Sequence, residues 1–155
     1  NYHSTPVGEM NVVKKMKEVN AVVGGEGGGG IIYPDLHYGR DALVGIALFL
    51  GLLVNKSIKV SNLSDEFPKY YMKKLKITLK DANLIDQVFE KFVSKYSGLS
   101  PNTEDGVRID FNEGWVHMRK SNTEPIVRIF SESDTQINAD KIALDIEKEI
   151  NDLVN

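Results

Sequence analysis

Thirteen consecutive residues, Ala42 to Val54 (ALVGIALFLGLLV), carry no charge and no side-chain hydrogen-bonding group. Any fold this chain adopts has to accommodate that run. It is shorter than the roughly 17–25 residues that cross a bilayer as a helix. It is therefore expected to be a buried helix reaching about Lys56, with Asp41 as the cap whose carboxylate takes the unpaired N–H groups of the first turn. With 155 residues, 41% of them hydrophobic, the chain can build one ordinary core or two small ones around such a helix.

Charge and residue usage narrow the partners. The net charge is −3 and Lys and Arg are scattered, which gives no electrostatic basis for nucleic acid or an anionic membrane. Any anion must be held locally. The absence of cysteine excludes disulfides and thiolate metal sites and fits a reducing compartment, so a cytoplasmic location is expected. His3, His37 and His117 show no ligand spacing, and no metal site is expected. The chain starts at Asn1 with no cationic, apolar leader, so it is expected to be cut from something longer.

Apolar residues and turn formers divide the sequence near Pro68. Before it, Met10, Val13, Met16 and Lys17 lie at helical spacing between Gly8 and Asn20. Ala21-Val22-Val23 reads as a short strand entering a glycine-rich segment that leads on to the apolar helix, and Val60 to Phe67 as a short amphipathic piece. After it, Tyr70 to Leu79 alternates as a strand, and Asp81 precedes a helix with Leu84, Ile85, Val88, Phe89, Phe92 and Val93 on one stripe. Strands are expected at Gly106 to Phe111, Gly114 to Lys120 and Ile126 to Ser131, the first two joined at Asn112-Glu113. A last helix, about Ala139 to Val154, presents Ile142, Ile146, Ile150 and Leu153. The β-α-β-β-β-α order implies an antiparallel sheet with helices on one face. The whole is thus α/β followed by α+β.

Two segments carry the chemistry. In Gly24-Gly25-Glu26-Gly27-Gly28-Gly29-Gly30 six glycines surround one carboxylate. Either this is a flexible surface linker with a solvated Glu26, or the glycines keep side chains away from something that must approach. A carboxylate can accept hydrogen bonds from two neighbouring hydroxyls of a polyol. The second segment follows from strand parity. With Val116 and Met118 inward, Trp115, His117 and Arg119 share the other face; Val127 and Ile129 point in and Arg128 out. Arg119 thus leaves its strand where Ser121-Asn122-Thr123 begins. Either that is an ordinary polar hairpin turn ended by Pro125, or its guanidinium, hydroxyls, amide and turn N–H groups form a cup for a phosphate dianion. A hydroxyl-reading carboxylate and a phosphate cup together describe a sugar phosphate. Asp35, His37 and Asp41 imitate a metal cluster but lack a fourth ligand, and are read as capping and local hydrogen bonding; Trp115 and Tyr70 are read as half-buried sheet residues. The glycine run does not fit the dinucleotide-binding spacing.

Both loops, in this order, resemble the phosphohexomutase family: phosphoglucomutases, phosphomannomutases and phosphoglucosamine mutases. The resemblance rests on residues 24 to 30 with His37-Tyr38-Gly39-Arg40-Asp41-Ala42, on Arg119-Lys120-Ser121-Asn122-Thr123-Glu124-Pro125, and on Thr5-Pro6-Val7-Gly8. It implies that residues 1–64 are the later half of a third, sugar-recognition domain, and that 65–155 are a complete fourth, phosphate-binding domain of TATA-binding-protein-like fold. It also implies that Glu26, Gly28 and Gly30 belong to the sugar loop and that Arg119, Ser121, Asn122 and Thr123 hold the phosphate not being transferred. Many members have Ser or Asn at the position of Gly28 and His at that of Gly30, so one sugar contact is missing here or made differently.

Such enzymes transfer phosphate through a phosphoserine in the first domain, beside a magnesium held by an aspartate-rich loop in the second. Neither a Ser-His-Asn-like loop nor an Asp-x-Asp-x-Asp segment occurs in this chain. The resemblance therefore implies a C-terminal part without catalytic or metal residues of its own. The missing N-terminal domains would be its partners, and a hexose 1,6-bisphosphate the intermediate of the parent enzyme. The competing reading is a non-catalytic binding or interaction module.

Overall fold

The computed structural model describes residues 1–81, 83–121 and 124–154. Contacts divide the chain into two compact units, Asn1–Pro68 and Lys69–Asn155.

The first unit opens with α1 (Glu9–Val19), followed by three short strands, β1 (Gly24–Gly25), β2 (Ile31–Tyr33) and β3 (His37–Arg40). These form one antiparallel sheet in the order β1-β2-β3, in which Gly24 faces Ile32 and Gly25 faces Ile31. Helix α2 (Ala42–Lys56), the single turn α3 (Val60–Leu63) and a 3₁₀ turn at Ser64–Glu66 complete it. Its small core is Val12, Val13 and Met16 of α1 against Ile32, with Ala21 alongside.

Three sequence expectations change here. The strand lies on the glycines and not on Ala21-Val22-Val23; Val22 and Val23 point to solvent. Gly24 suits the strand because a Cβ there would stand 2.2 Å from the Met16 sulfur, so only glycine lets α1 pack this close. The glycine segment consequently folds as a hairpin turn between β1 and β2, and β3 intervenes before α2. Met10 is exposed, since the buried stripe of α1 runs through Val12, Val13 and Met16. The largest change concerns α2, which forms where expected but has no buried residue. Its contact with the sheet is made near Gly45, where a Cβ would meet the Ile31 side chain at 3.1 Å, while Leu43, Ile46, Leu50 and Val54 face solvent. A three-stranded sheet with strands of two to four residues is too small to cover a helix that is apolar all round. No single described helix is long and apolar enough to cross a membrane.

The second unit is a four-stranded antiparallel sheet in the order β4-β7-β6-β5, made of β4 (Tyr71–Thr78), β5 (Val107–Phe111), β6 (Gly114–Lys120) and β7 (Ile126–Ser133). Helices α4 (Asn83–Lys95) and α5 (Gln136–Val154) contribute to one continuous core with a single face of this sheet. Asp81 caps α4 as expected, its Oδ1 accepting from the Asn83 N–H at 2.9 Å. Ile85, Val88 and Phe92 meet Val107, Ile109, Val116, Met118, Val127 and Ile129, all 3% exposed or less. The α5 stripe runs through Ala139, Ala143, Ile146 and Ile150; the expected Leu153 lies outside it and is exposed. The buried Ser131 hydroxyl is satisfied by the Ala139 carbonyl at 2.7 Å.

Candidate functional site

The glycine hairpin and Glu26 are placed by the start of α1. The Gly29 N–H donates to the Glu26 carbonyl at 3.0 Å, closing a turn over Gly27 and Gly28. Gly29 and Gly30 have φ of 97° and 89°, a region open to glycine. Glu26 Oε1 accepts from the Gly8 N–H at 2.7 Å, and Oε2 lies 4.0 Å from Arg40 Nη1. Gly8 is the residue preceding α1, so the carboxylate sits where that helix presents unpaired N–H groups. Arg40, at the end of β3, is itself held: its Nε donates to Glu9 Oε2 at 3.0 Å and its backbone N–H to Glu9 Oε1 at 3.2 Å. Three segments distant in sequence, Gly8-Glu9, the glycine hairpin and Arg40, thus converge on one half-exposed carboxylate.

Gly28 and Gly30 differ sharply in surroundings. Among the described residues nothing approaches within 4 Å of a Cβ position at Gly28, whereas at Gly30 a Cβ would meet Arg40 Cδ at 2.6 Å. The Arg40 side chain therefore lies over Gly30, and any larger residue there would both strain the backbone and displace it. Gly8, Glu9 and Arg40 were not singled out from the sequence as functional; only Thr5-Pro6-Val7-Gly8 and the Arg40-containing segment, as parts of recurring motifs, pointed toward them.

Asp35, His37 and Asp41 have local duties. Asp41 Oδ1 accepts from the N–H groups of Leu43 and Val44 at 2.9 and 3.0 Å, and its Oδ2 meets His37 Nε2 at 3.2 Å. The Val44 N–H, then the His37 contact and the Leu43 N–H, hold the Asp41 carboxyl below its ordinary range. His37 Nδ1 accepts from the Gly39 N–H, and Asp35 accepts from the Tyr33 hydroxyl. Among the described residues no group of three His, Cys, Asp or Glu could hold a metal ion.

In the second unit the outer face of the sheet has the parity expected. Val116, Met118, Val127 and Ile129 are fully buried, while Trp115, His117, Arg119 and Arg128 are on the opposite side. Arg119 stands directly across from Arg128 in the ladder between β6 and β7. The hairpin beyond them is closed by the Ser121 N–H donating to the Ile126 carbonyl at 2.9 Å, and the Leu79 N–H donates to the Pro125 carbonyl at 2.8 Å. Ser121 is half-buried at the mouth of this loop; Asn122 and Thr123 lie outside the described residues.

Arg119 is oriented by a residue that sequence reasoning missed. Its Nε donates to Asp105 Oδ1 at 3.1 Å, and His117 Nε2 contacts the Asp105 carbonyl. Asp105 comes this close because Gly106, at φ 80°, lies where a Cβ would be 2.1 Å from the Met118 carbonyl oxygen. The Asp-Gly pair was the available signal. Lys120 points away toward α4, where its Nζ donates to Asp86 at 2.9 Å.

These arrangements can be compared with known proteins. Residues 1–71 match the model of phosphoglucomutase/phosphomannomutase alpha/beta/alpha domain III, and residues 59–149 that of the phosphoglucomutase/phosphomannomutase C-terminal domain. A phosphoglucosamine/phosphogalactosamine mutase of Sulfurisphaera tokodaii is 36% identical over 146 residues, covering 93% of this chain and 32% of that protein. A phosphoglucomutase/phosphomannomutase of Thermococcus kodakarensis is 38% identical over 137 residues, covering 87% and 30%. The crystal structure of a phosphoglucomutase/phosphomannomutase family protein from Burkholderia thailandensis superposes with a TM-score of 0.70 at 26% identity, over 95% of this chain and 31% of that one. The chain thus spans about 30% of the length of these relatives. With both of its units matched in order, the chain belongs to the phosphoglucomutase/phosphomannomutase family.

Proposed function

We propose that this chain is the sugar- and phosphate-recognising part of a phosphohexomutase that interconverts hexose 1-phosphates and 6-phosphates. The observation that carries the reading is Arg119, fixed on one side by Asp105 and set directly across the strand ladder from Arg128, at the mouth of the Ser121 loop. Two arginines directly opposed on one face of a sheet suit an anion with several acceptor oxygens, because each guanidinium can make bidentate contacts. Ser121, Asn122 and Thr123 would add hydroxyl, amide and turn donors to the same phosphate.

Glu26 would read the sugar. A carboxylate offers about four acceptor directions, and one is used by the Gly8 N–H. The contact fixes its direction and leaves acceptors for vicinal hydroxyls. Gly28 has open space around it, which gives a ring room to approach, and Gly30 lets Arg40 stay beside Glu26. A cup that reads only the phosphate and a carboxylate that reads paired hydroxyls each tolerate a sugar phosphate in either direction, as a bisphosphorylated intermediate that turns around requires.

The family's magnesium does not fit the residues present. Asp41 is engaged in capping α2, His37 in holding Asp41, and Asp35 with Tyr33. In this reading the phosphoserine and the metal ligands belong to upstream domains of a cytoplasmic parent, the 155-residue piece has no mutase activity by itself, and upstream chain covers α2.

Glucose 1-phosphate titrated into the chain and followed by amide chemical shifts tests this. Shifts should cluster around Arg119 and Ser121 at millimolar affinity, about −4 kcal/mol, and Arg119→Ala should abolish them. Saturating ligand with no shift would refute the reading, as would mutase turnover by the piece alone.

A further inference from the structure

The outer face of the second sheet is built in cross-strand rows, and the rows differ in how their charges are satisfied. Farthest from the Ser121 loop, Met72, Glu132, Trp115 and Asp110 face one another in turn. There Trp115 Nε1 donates to Glu132 at 3.1 Å. The next row is Lys74, Phe130, His117 and Arg108. Lys74 Nζ lies 5.9 Å from the Phe130 ring centre, and the Arg108 guanidinium sits 4.5 Å from that of Trp115 while donating to Asp110 at 2.8 Å. Every cation of that row has a partner.

The row nearest the loop is Lys76, Arg128 and Arg119, three cations directly opposite one another across three strands. Arg119 has Asp105; among the described residues neither Lys76 nor Arg128 is within 4.0 Å of a carboxylate. Like charges set opposite each other in a sheet disfavour the fold. An anion lying over the row would reverse that sign. Strands are spaced about 4.8 Å apart, so Lys76 and Arg119 stand about 10 Å from each other with Arg128 between. Their long side chains can close on one tetrahedral group.

We propose that Lys76 is a third cation of the phosphate site, acting from the strand beyond Arg128; this rests on the sugar-phosphate reading above. An ammonium is a point charge on a flexible stem, without the fixed fork of the two arginines. Lys76 should therefore draw the dianion in without fixing its orientation. That role predicts a loss repaired by arginine and sensitive to salt.

Glucose 1-phosphate binding to the full-length protein is measured by calorimetry at several salt concentrations for wild type, Lys76→Met, Lys76→Arg, Arg119→Ala and the control Lys91→Met on the exposed side of α4. Lys76→Met should raise Kd about five- to tenfold at low salt and flatten its salt dependence, as loss of one partly screened charge contact does. Lys76→Arg should stay within about twofold of wild type, and Lys91→Met should be unchanged. If Lys76→Met behaves like Lys91→Met while Arg119→Ala abolishes binding, Lys76 has no part in the site and the phosphate reading stands. If the wild type does not bind, or Arg119→Ala binds normally, both fall together.

Discussion

Helices α2 and α4 are both rich in apolar residues, and they end up in opposite surroundings. In α4 the apolar residues fall on one stripe, and Ile85, Val88 and Phe92 disappear into the core of the second unit. In α2 they go all round, and none is buried. A one-sided helix needs one sheet, which the second unit supplies from its own strands. A helix apolar on every side needs cover on every side, and the first unit has only the short β1-β2-β3 sheet to offer. The two units thus teach that apolar pattern, and not apolar content, tells how much neighbouring structure a helix requires.

Truncating the core of the second unit should have the largest effect. Phe92 is 1% exposed and stacks on Tyr96 at 5.9 Å. Phe92→Ala should destabilise that unit by about 3–5 kcal/mol in thermal or denaturant unfolding followed by circular dichroism. The contrasting change is Leu50→Glu in α2, where Leu50 is 54% exposed. In this chain it should shift stability by no more than about 0.5 kcal/mol. A large loss would show that α2 is covered in solution and would break the comparison. If upstream chain covers α2, as proposed, the same substitution should be severe in the full-length protein.

Between these lies Gly30. Gly30→Ala places a side chain at a φ of 89° and against Arg40 Cδ, so it should destabilise the first unit by about 1–2 kcal/mol. On the proposed function it should also weaken sugar binding in the parent by disturbing Arg40 and Glu26, whereas Gly28→Ala, with open space around it among the described residues, should change stability by no more than about 0.5 kcal/mol. Equal effects at the two glycines would contradict the packing of Arg40 on Gly30.

The same contrast explains what could be read from the sequence. In the second unit every strand alternates and each helix carries its own stripe, so local periods suffice, and the inward and outward sides of β6 and β7 follow from parity. The first unit hides its strands in two to four residues, one of them made of glycine alone. Its pairing is decided by what fits against Met16, which no local pattern records. At the candidate site, Glu26, Arg119 and Ser121 stand out by residue type and loop position. Their partners do not. Gly8 and Glu26 are 18 residues apart, Glu9 and Arg40 31 apart, and Asp105 and Arg119 14 apart, so only the folded chain brings them together.

The smallest expected effect concerns a second feature the two helices share, an aspartate at the N-terminus. Asp41 is held below its ordinary range by the Val44 N–H first, then by His37 and the Leu43 N–H. A folded-state pKa below the unfolded one means that the carboxylate stabilises the fold above the unfolded pKa of about 3.9, and that this contribution fades as the pH falls through the lower, folded value. Protection of the Leu43 and Val44 amides, taken relative to the intrinsic exchange rate at each pH, should therefore fall below about pH 4 more than protection in the middle of α2. Asparagine caps as well as aspartate but does not titrate in this range, so Asp41→Asn should keep the first turn protected and remove most of the pH response. His37→Ala should leave most of that response in place, because the backbone N–H of Val44 outweighs the imidazole. If Asp41→Asn responds to acid as the native chain does, the low-pH loosening of α2 has another source, and the cap is not what starts this exposed helix.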